Sequence, residues 1–266
     1  MKRNIFPRVA LAVSLSGFLI FYMLPFFVSL CYGFVDNPIR RRFVGLQNFT
    51  ELLQNPFFLR GASNMVLFMM GALPVSFVFS LILALVLKRL SSKGDIVAVL
   101  FLVPYVLPSA AVVRFWMDMA DRGAWLYRHP MLLIILIYGW KNMGYLAVLF
   151  LTGLYSIPEE YDQYARVLGA NGWQRFWYIT WVYLRPATWV VWIMSLVNSF
   201  KIFKETYLMW GDYPPKEVYL LQHFVNSTLL SLHYQKLVCA VYLLAAVIVC
   251  LVAAGVYEIQ RTREQL

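Results

Sequence analysis

From Ser156 to Thr180 the chain reads SIPEEYDQYARVLGANGWQRFWYIT, a polar island in an otherwise apolar sequence. Ser156 followed by Glu159 has the spacing of a capping box, Pro158 suits a first helical turn, and Glu159 and Glu160 complement the positive end of a helix. Tyr161, Tyr164, Ala165 and Leu168 recur at i, i+3, i+4 and i+7 and form one apolar face. Gly169 then interrupts the pattern and allows the backbone a sharp turn. Asn171 with Gln174 starts a second short helix, on which Trp173, Phe176 and Trp177 share a face. The stretch predicts a helix–turn–helix elbow within a connection covering 154–181. Pattern alone leaves two uses open: an amphipathic element lying on lipid headgroups, or a knob presented to a soluble partner.

On both sides of the elbow the sequence is apolar. Of 266 residues, 61% are hydrophobic and 14% charged, whereas a soluble domain carries about a quarter charged residues. A water-soluble fold would have to expose large apolar patches; a lipid solvent removes that difficulty. Six stretches reach the roughly 20 apolar residues that a spanning helix needs: about 9–34, 64–87, 96–115, 131–153, 189–209 and 237–256. The fold class expected is all-α integral membrane, one domain over 1–266. The first stretch follows Lys2 and Arg3 but is longer than a signal-peptide core, so a retained helix is expected. Pro74 falls in the second span, and Pro104 and Pro108 in the third, where each predicts a kink.

The net charge is +10. The basic residues lie between apolar stretches, at Lys2, Arg3 and Arg8, Lys88, Arg89 and Lys93, Arg166 and Arg175, and Arg261 and Arg263. That placement suits headgroup anchoring and not nucleic-acid binding. Taken as cytoplasmic, these groups put both termini inside, against which Arg40, Arg41, Arg42 and Arg60 would lie outside. Cys31, Cys239 and Cys250 form no CxxC pair, and His129, His223 and His233 have no metal-ligand spacing, so no metal site is expected. There is no HExxH, no GxSxG, and no G-x-x-x-x-G-K-S/T to cradle nucleotide phosphates. A non-catalytic chain is expected.

Ile157-Pro158-Glu159-Glu160, Ala165, Gly169-Ala170, Trp173, Phe176, Ile179 and Pro186 occur in the order of a known loop. Phe43-Val44-Gly45-Leu46-Gln47-Asn48-Phe49 with Leu52-Leu53, and Ser199-Phe200-Lys201-Ile202-Phe203, extend the match over almost the whole chain. Together they resemble the permease subunits of bacterial ATP-binding-cassette importers of the maltose-type carbohydrate family, whose loop commonly carries E-A-A-x-x-x-G. Departures are Gln163 for the usual glutamate, Tyr164 for the first alanine and Leu168 for the aspartate before the glycine. Gly211-Asp212-Tyr213-Pro214 also replaces Gly-Gly-Pro, and the link 117–130 is short.

The resemblance implies a type I importer bundle of about six spans in the bacterial inner membrane, both termini cytoplasmic, with a cytoplasmic coupling helix between spans four and five. It implies that Glu159, Glu160, Gln163, Tyr164, Ala165, Leu168, Gly169 and Ala170 face an ATPase. The partners implied are a second, different permease chain, two cytoplasmic ATPase subunits carrying ATP and Mg, and an external or periplasmic binding protein delivering a carbohydrate-type solute. No cofactor would be bound by this chain. A permease for a non-sugar solute, or a secondary transporter relying on intramembrane ionisable groups, are the alternatives.

A solute path is expected between the third, fourth and fifth spans, because charges within a span face the bundle interior or a watery cavity. Lys141 falls mid-span beside Trp140, Asn142 and Tyr145. Lys201 and Glu205 are four apart and are expected to meet on one face, with Asn198 a turn earlier. Polar groups beside aromatics suit a sugar, which selects Tyr105, Asp118, Asn142, Tyr145, Asn198, Lys201 and Glu205 as candidates. The competing reading has Lys201, Lys204 and Glu205 snorkelling to the outer interface and Lys141 pairing within the complex.

Overall fold

In a bilayer every backbone polar group must be satisfied internally, which a helix does by itself. A computed structural model of the chain describes residues 5–37, 39–90, 92–119 and 125–264. Lys2 and Arg3 lie outside the described residues, as does 120–124 of the short link. The helices are α1 (Ile5–Phe18), α2 (Leu24–Tyr32), α3 (Gln47–Leu53), α4 (Pro56–Arg89), α5 (Ser92–Val106) and α6 (Ser109–Met119). They continue with α7 (Pro130–Tyr155), α8 (Glu159–Val167), α9 (Gly172–Arg175), α10 (Trp181–Ser199), α11 (Phe203–Trp210), α12 (Leu221–Leu230) and α13 (Tyr234–Glu264).

Among the described residues, five helical runs are long and apolar enough to cross a membrane: Val9–Tyr32, Pro56–Arg89, Pro130–Tyr155, Gly172–Trp210 and Tyr234–Thr262. The expected third span is not one straight helix. Ile96–Val106 and Ser109–Met119 meet at 92°, and the span count becomes six only if this pair is one span. Pro108 is the cause: it offers no N–H, and its ring disfavours the helical conformation at Leu107. Its carbonyl then accepts from Ala111 and Val112 and starts α6. Pro74 and Pro104, by contrast, are carried inside α4 and α5 without ending them. The fifth span begins earlier than expected. One π-turn, Phe176–Thr180, joins α9 to α10, so the second arm of the elbow continues into the span.

The contacts divide the chain into two units. One takes the described residues up to Leu59 together with Phe224–Ala246; the other takes Arg60–His223 and the residues from Val247 on. In the first unit the segment after α2 doubles back through a bridge between Val35 and Phe43. Asn48 Nδ2 clamps it by donating to the carbonyls of Gly33 and Val35, both at 2.9 Å. Asp36 Oδ1 accepts from the Arg42 N–H at 3.0 Å. On the same unit Tyr242 bonds Ser29 at 2.8 Å and packs its ring on Phe26.

In the second unit α7 is the central helix, packed by α5 and α10. Leu146, Ala147, Phe150, Leu151 and Leu154 bury against Ala84 and Leu87 of α4, Ala98 of α5, and Leu184 and Val191 of α10. Lipid is as apolar as leucine, so close fit and not water exclusion holds such helices together, and small residues set the approach. Gly144 meets the Phe101 carbonyl so closely that no side chain fits, and a Cβ at Gly153 would lie 2.6 Å from that of Ala187. Phe77 reaches both neighbours, edge-on to Phe150 and stacked on Trp192, each at 5.1 Å.

Candidate functional site: an elbow and a cavity between helices

The elbow is α8, a turn, and α9. Helix α8 ends in a Schellman motif: Ala170 N–H bonds the Ala165 carbonyl at 2.9 Å, and Gly169 N–H bonds that of Arg166 at 3.0 Å. The motif requires a left-handed residue, and Gly169 supplies it at φ +78°. Asn171 opens α9 as expected, and it does so with a capping box, its Oδ1 accepting from Gln174 N–H and Gln174 Oε1 from Asn171 N–H, both at 2.9 Å. The capping box expected at Ser156 does not form. Pro158 occupies the N-cap of α8, and Ser156 Oγ donates back to the Gly153 carbonyl at 2.7 Å, because α7 runs on to Tyr155 and leaves that carbonyl to be satisfied.

Asp162 fixes the angle between the two arms. It accepts from Arg166 on its own helix and from Arg175 at the end of α9, each at 2.7 Å. Its partial burial works to raise the carboxyl pKa, but hydrogen bonds and charge from Arg166 and Arg175 outweigh it and hold the group below the usual carboxylate value. Lys88 of α4 caps the Leu154 carbonyl at 2.8 Å. The outward apolar surface is large: Tyr164 is 68% exposed, and Val167 and Leu168 are each 86% exposed. Tyr164 and Leu168 are expected face residues. Val167 is not, and neither are Asp162 and Arg175. The i,i+4 spacing of Asp162 and Arg166 is a sequence signal for that pair, but nothing local marks Arg175.

A cavity of about 210 Å³ lies inside the second unit, lined by Tyr105, Tyr138, Lys141, Asn142, Asn198, Lys201, Ile202 and Glu205. Helices α5, α7, α10 and α11 each contribute. Lys141 Nζ stands 2.5 Å from Glu205 Oε1, which also accepts from Ser109 Oγ at 2.8 Å. Ser109 is the first residue of α6, so the bend at Pro108 delivers this hydroxyl to the cavity wall. Asn142 Nδ2 donates to the Tyr138 carbonyl, and the Tyr138 hydroxyl to the Ser195 carbonyl at 2.7 Å. Tyr145 lies just behind, its ring stacked on Tyr105 at 4.6 Å and 10°.

Residues 49–264 match the family described as binding-protein-dependent transport system inner membrane component. This chain belongs to that family. Among its relatives, the permease is 27% identical over 254 residues to the probable ABC transporter permease protein YurN of Bacillus subtilis, covering 85% of this chain and 86% of YurN. It is 26% identical over 240 residues to the arabinooligosaccharides transport system permease protein AraP of the same organism, covering 80% and 74%. By structure it superposes with a TM-score of 0.82 and 21% identity on a chain of a bacterial ABC transporter involved in import of the acidic polysaccharide alginate, covering 98% and 96%.

Of the seven path candidates in this permease, Tyr105, Asn142, Asn198, Lys201 and Glu205 share the cavity and Tyr145 backs it. Asp118 does not join them. It is exposed on α6, carried off by the 92° bend. Lys201 and Glu205 do not pair either. A 3-10 turn, Phe200–Ile202, separates α10 from α11, and its tighter winding stacks residue i over i+3. Lys201 Nζ therefore bonds Asn198 Oδ1 at 2.7 Å, leaving Glu205 to Lys141. Glu205 is 2% exposed and has not snorkelled to an interface.

Proposed function

We propose that this permease is one of two transmembrane subunits, on different chains, that together line an import path for a carbohydrate-type solute. An external binding protein delivers the solute, and two cytoplasmic ATPase subunits supply the energy, with ATP and Mg held on them and none on this chain. Both termini then lie in the cytoplasm. The names of the relatives support a sugar: AraP is named for arabinooligosaccharides. One observation carries the mechanical part. The elbow offers exposed Tyr164, Val167 and Leu168 on a helix whose end is fixed by Gly169 and whose arm is braced by Asp162. Apolar groups on a rigid protrusion suit a hydrophobic cleft on a soluble partner.

In mechanism, a rigid elbow transmits displacement. The second arm continues through the π-turn into α10 and on to α11, so a push on Trp173 reaches Asn198 and Glu205 along one helical run. The test is copurification of the tagged chain with its ATPase and second permease. Tyr164→Ser with Leu168→Ser should cut recovered ATPase more than tenfold and leave the second permease bound. Full ATPase recovery would remove the coupling role, and nucleotide turnover by the uncontaminated chain alone would remove the permease reading.

A further inference from the structure

The two cavity lysines are not equivalent. Lys141 is neutralised by Glu205 at 2.5 Å, whereas Lys201 has no carboxylate partner among the described residues. The lining thus holds two ammonium groups against one carboxylate, 2 − 1 = +1. Lys201 also fixes the Asn198 amide: only Oδ1 can accept from Nζ, so Nδ2 is the free end. That nitrogen is fully buried and has no hydrogen-bond partner, in a residue 2% exposed. A buried amide donor without an acceptor is unfavourable, and a ligand acceptor relieves it. Glu205 Oε1 already takes two donors. Lys201 itself is exposed, at the open side of the cavity, so the unused capacity around Asn198 and Lys201 is donor capacity beside a positive charge that has no carboxylate partner among the described residues. A neutral hydroxyl would satisfy Asn198 but leave that charge alone, whereas an anion answers both with charge-assisted bonds.

We propose that the solute carries an anionic group, a carboxylate or a phosphate on a sugar, and that Lys201 with Asn198 Nδ2 is its binding point and determines the specificity of the path. The proposal rests on the importer reading above. The test uses the intact complex with its ATPase and second permease, reconstituted with its binding protein, and three probes: a glucuronate oligosaccharide, a sugar phosphate and a neutral oligomer of matched length. Uptake and the shift in thermal unfolding of the complex are read for each. One acidic probe should be imported and raise the unfolding temperature, the neutral oligomer should do neither, and the two acidic probes identify which anion is meant. Lys201→Gln should weaken the acidic probe's effect at least tenfold and Lys201→Arg should retain most of it. Lys204→Gln, the same charge lost from a residue outside the cavity lining, should change nothing. Equal response to neutral and acidic probes, or an unchanged acidic response in Lys201→Gln, overturns the proposal and leaves the importer reading standing. Failure to take up any of the three also overturns the proposal, and the importer reading is then judged by copurification with the ATPase and second permease.

Discussion

Lys141 on α7 and Glu205 on α11 form an ion pair, 2.5 Å apart across 64 residues of sequence, with Glu205 buried, Lys141 part-buried, and Glu205 shared by Ser109 of α6. Removing one member of such a pair leaves a buried charge uncompensated, at about 3–5 kcal/mol, whereas removing both is often close to neutral. Lys141→Met should lower the unfolding temperature of the purified permease sharply. Glu205→Gln in the same chain should restore much of it. A double variant as unstable as the sum of the single ones would show that the pair is not coupled.

Gly144 is where α7 lies against the backbone of α5. A Cβ there would overlap the Phe101 carbonyl, which belongs to a helix backbone and cannot swing aside. Gly144→Ala should therefore cost at least the roughly 1–3 kcal/mol of an overpacked core, read as a fall in folded yield by size-exclusion chromatography. Gly139→Ala on the same helix is the control, since its Cβ would sit 3.8 Å from Ser76 Oγ. It should fold normally.

Gly169 has space around it, with nothing within 4 Å of a built Cβ, so any penalty there comes from its φ of +78° alone. Gly169→Ala should cost about 1–2 kcal/mol locally, and Gly169→Val more. Membrane insertion and span packing should survive both, because the strain is confined to the turn. Solute-stimulated ATP hydrolysis by the assembled complex should fall in the order Gly, Ala, Val. Unchanged stimulation in the valine variant would detach the turn from coupling.

His223 is buried in α12, its Nδ1 accepting from the Leu220 N–H at 3.1 Å and its ring packed on Phe203 and Tyr219. Burial pushes its pKa from 6.5 down to about 4, against a smaller upward effect of Asp212. The folded chain thus holds the neutral ring while the unfolded chain takes a proton from about pH 6.5 downward. The stability this contributes is complete above pH 6.5 and is lost as pH falls toward 4, by about 3 kcal/mol at most. Unfolding temperature should be flat from pH 8 to 7 and decline below 6.5. His223→Asn, which keeps an acceptor near the Nδ1 position, should flatten that decline.

The membrane class, the elbow, the Gly169 turn and the Asn171 capping box are all legible in the sequence, because each depends on run length, on i,i+3 and i,i+4 spacing, or on one residue's allowed φ. These quantities are local. So is the choice of Tyr105, Asn142 and Asn198 as polar or aromatic groups inside apolar runs. What sequence spacing misjudged was the partnership of the cavity charges. It paired Lys201 with Glu205 by their separation of four, and a three-residue 3-10 turn redirected both.

Tertiary structure alone decided the rest. Pro104 and Pro108 look alike in sequence, yet one is absorbed by α5 and the other turns the chain by 92°, bringing Ser109 to Glu205 and taking Asp118 away. Gly139 and Gly144 look alike on α7, and only the second touches a neighbouring backbone. Composition fixes that these segments seek lipid, since transfer free energy sums residue by residue. Which carboxylate answers which lysine is decided by distances between helices far apart in the chain, and those exist only once the helices have packed.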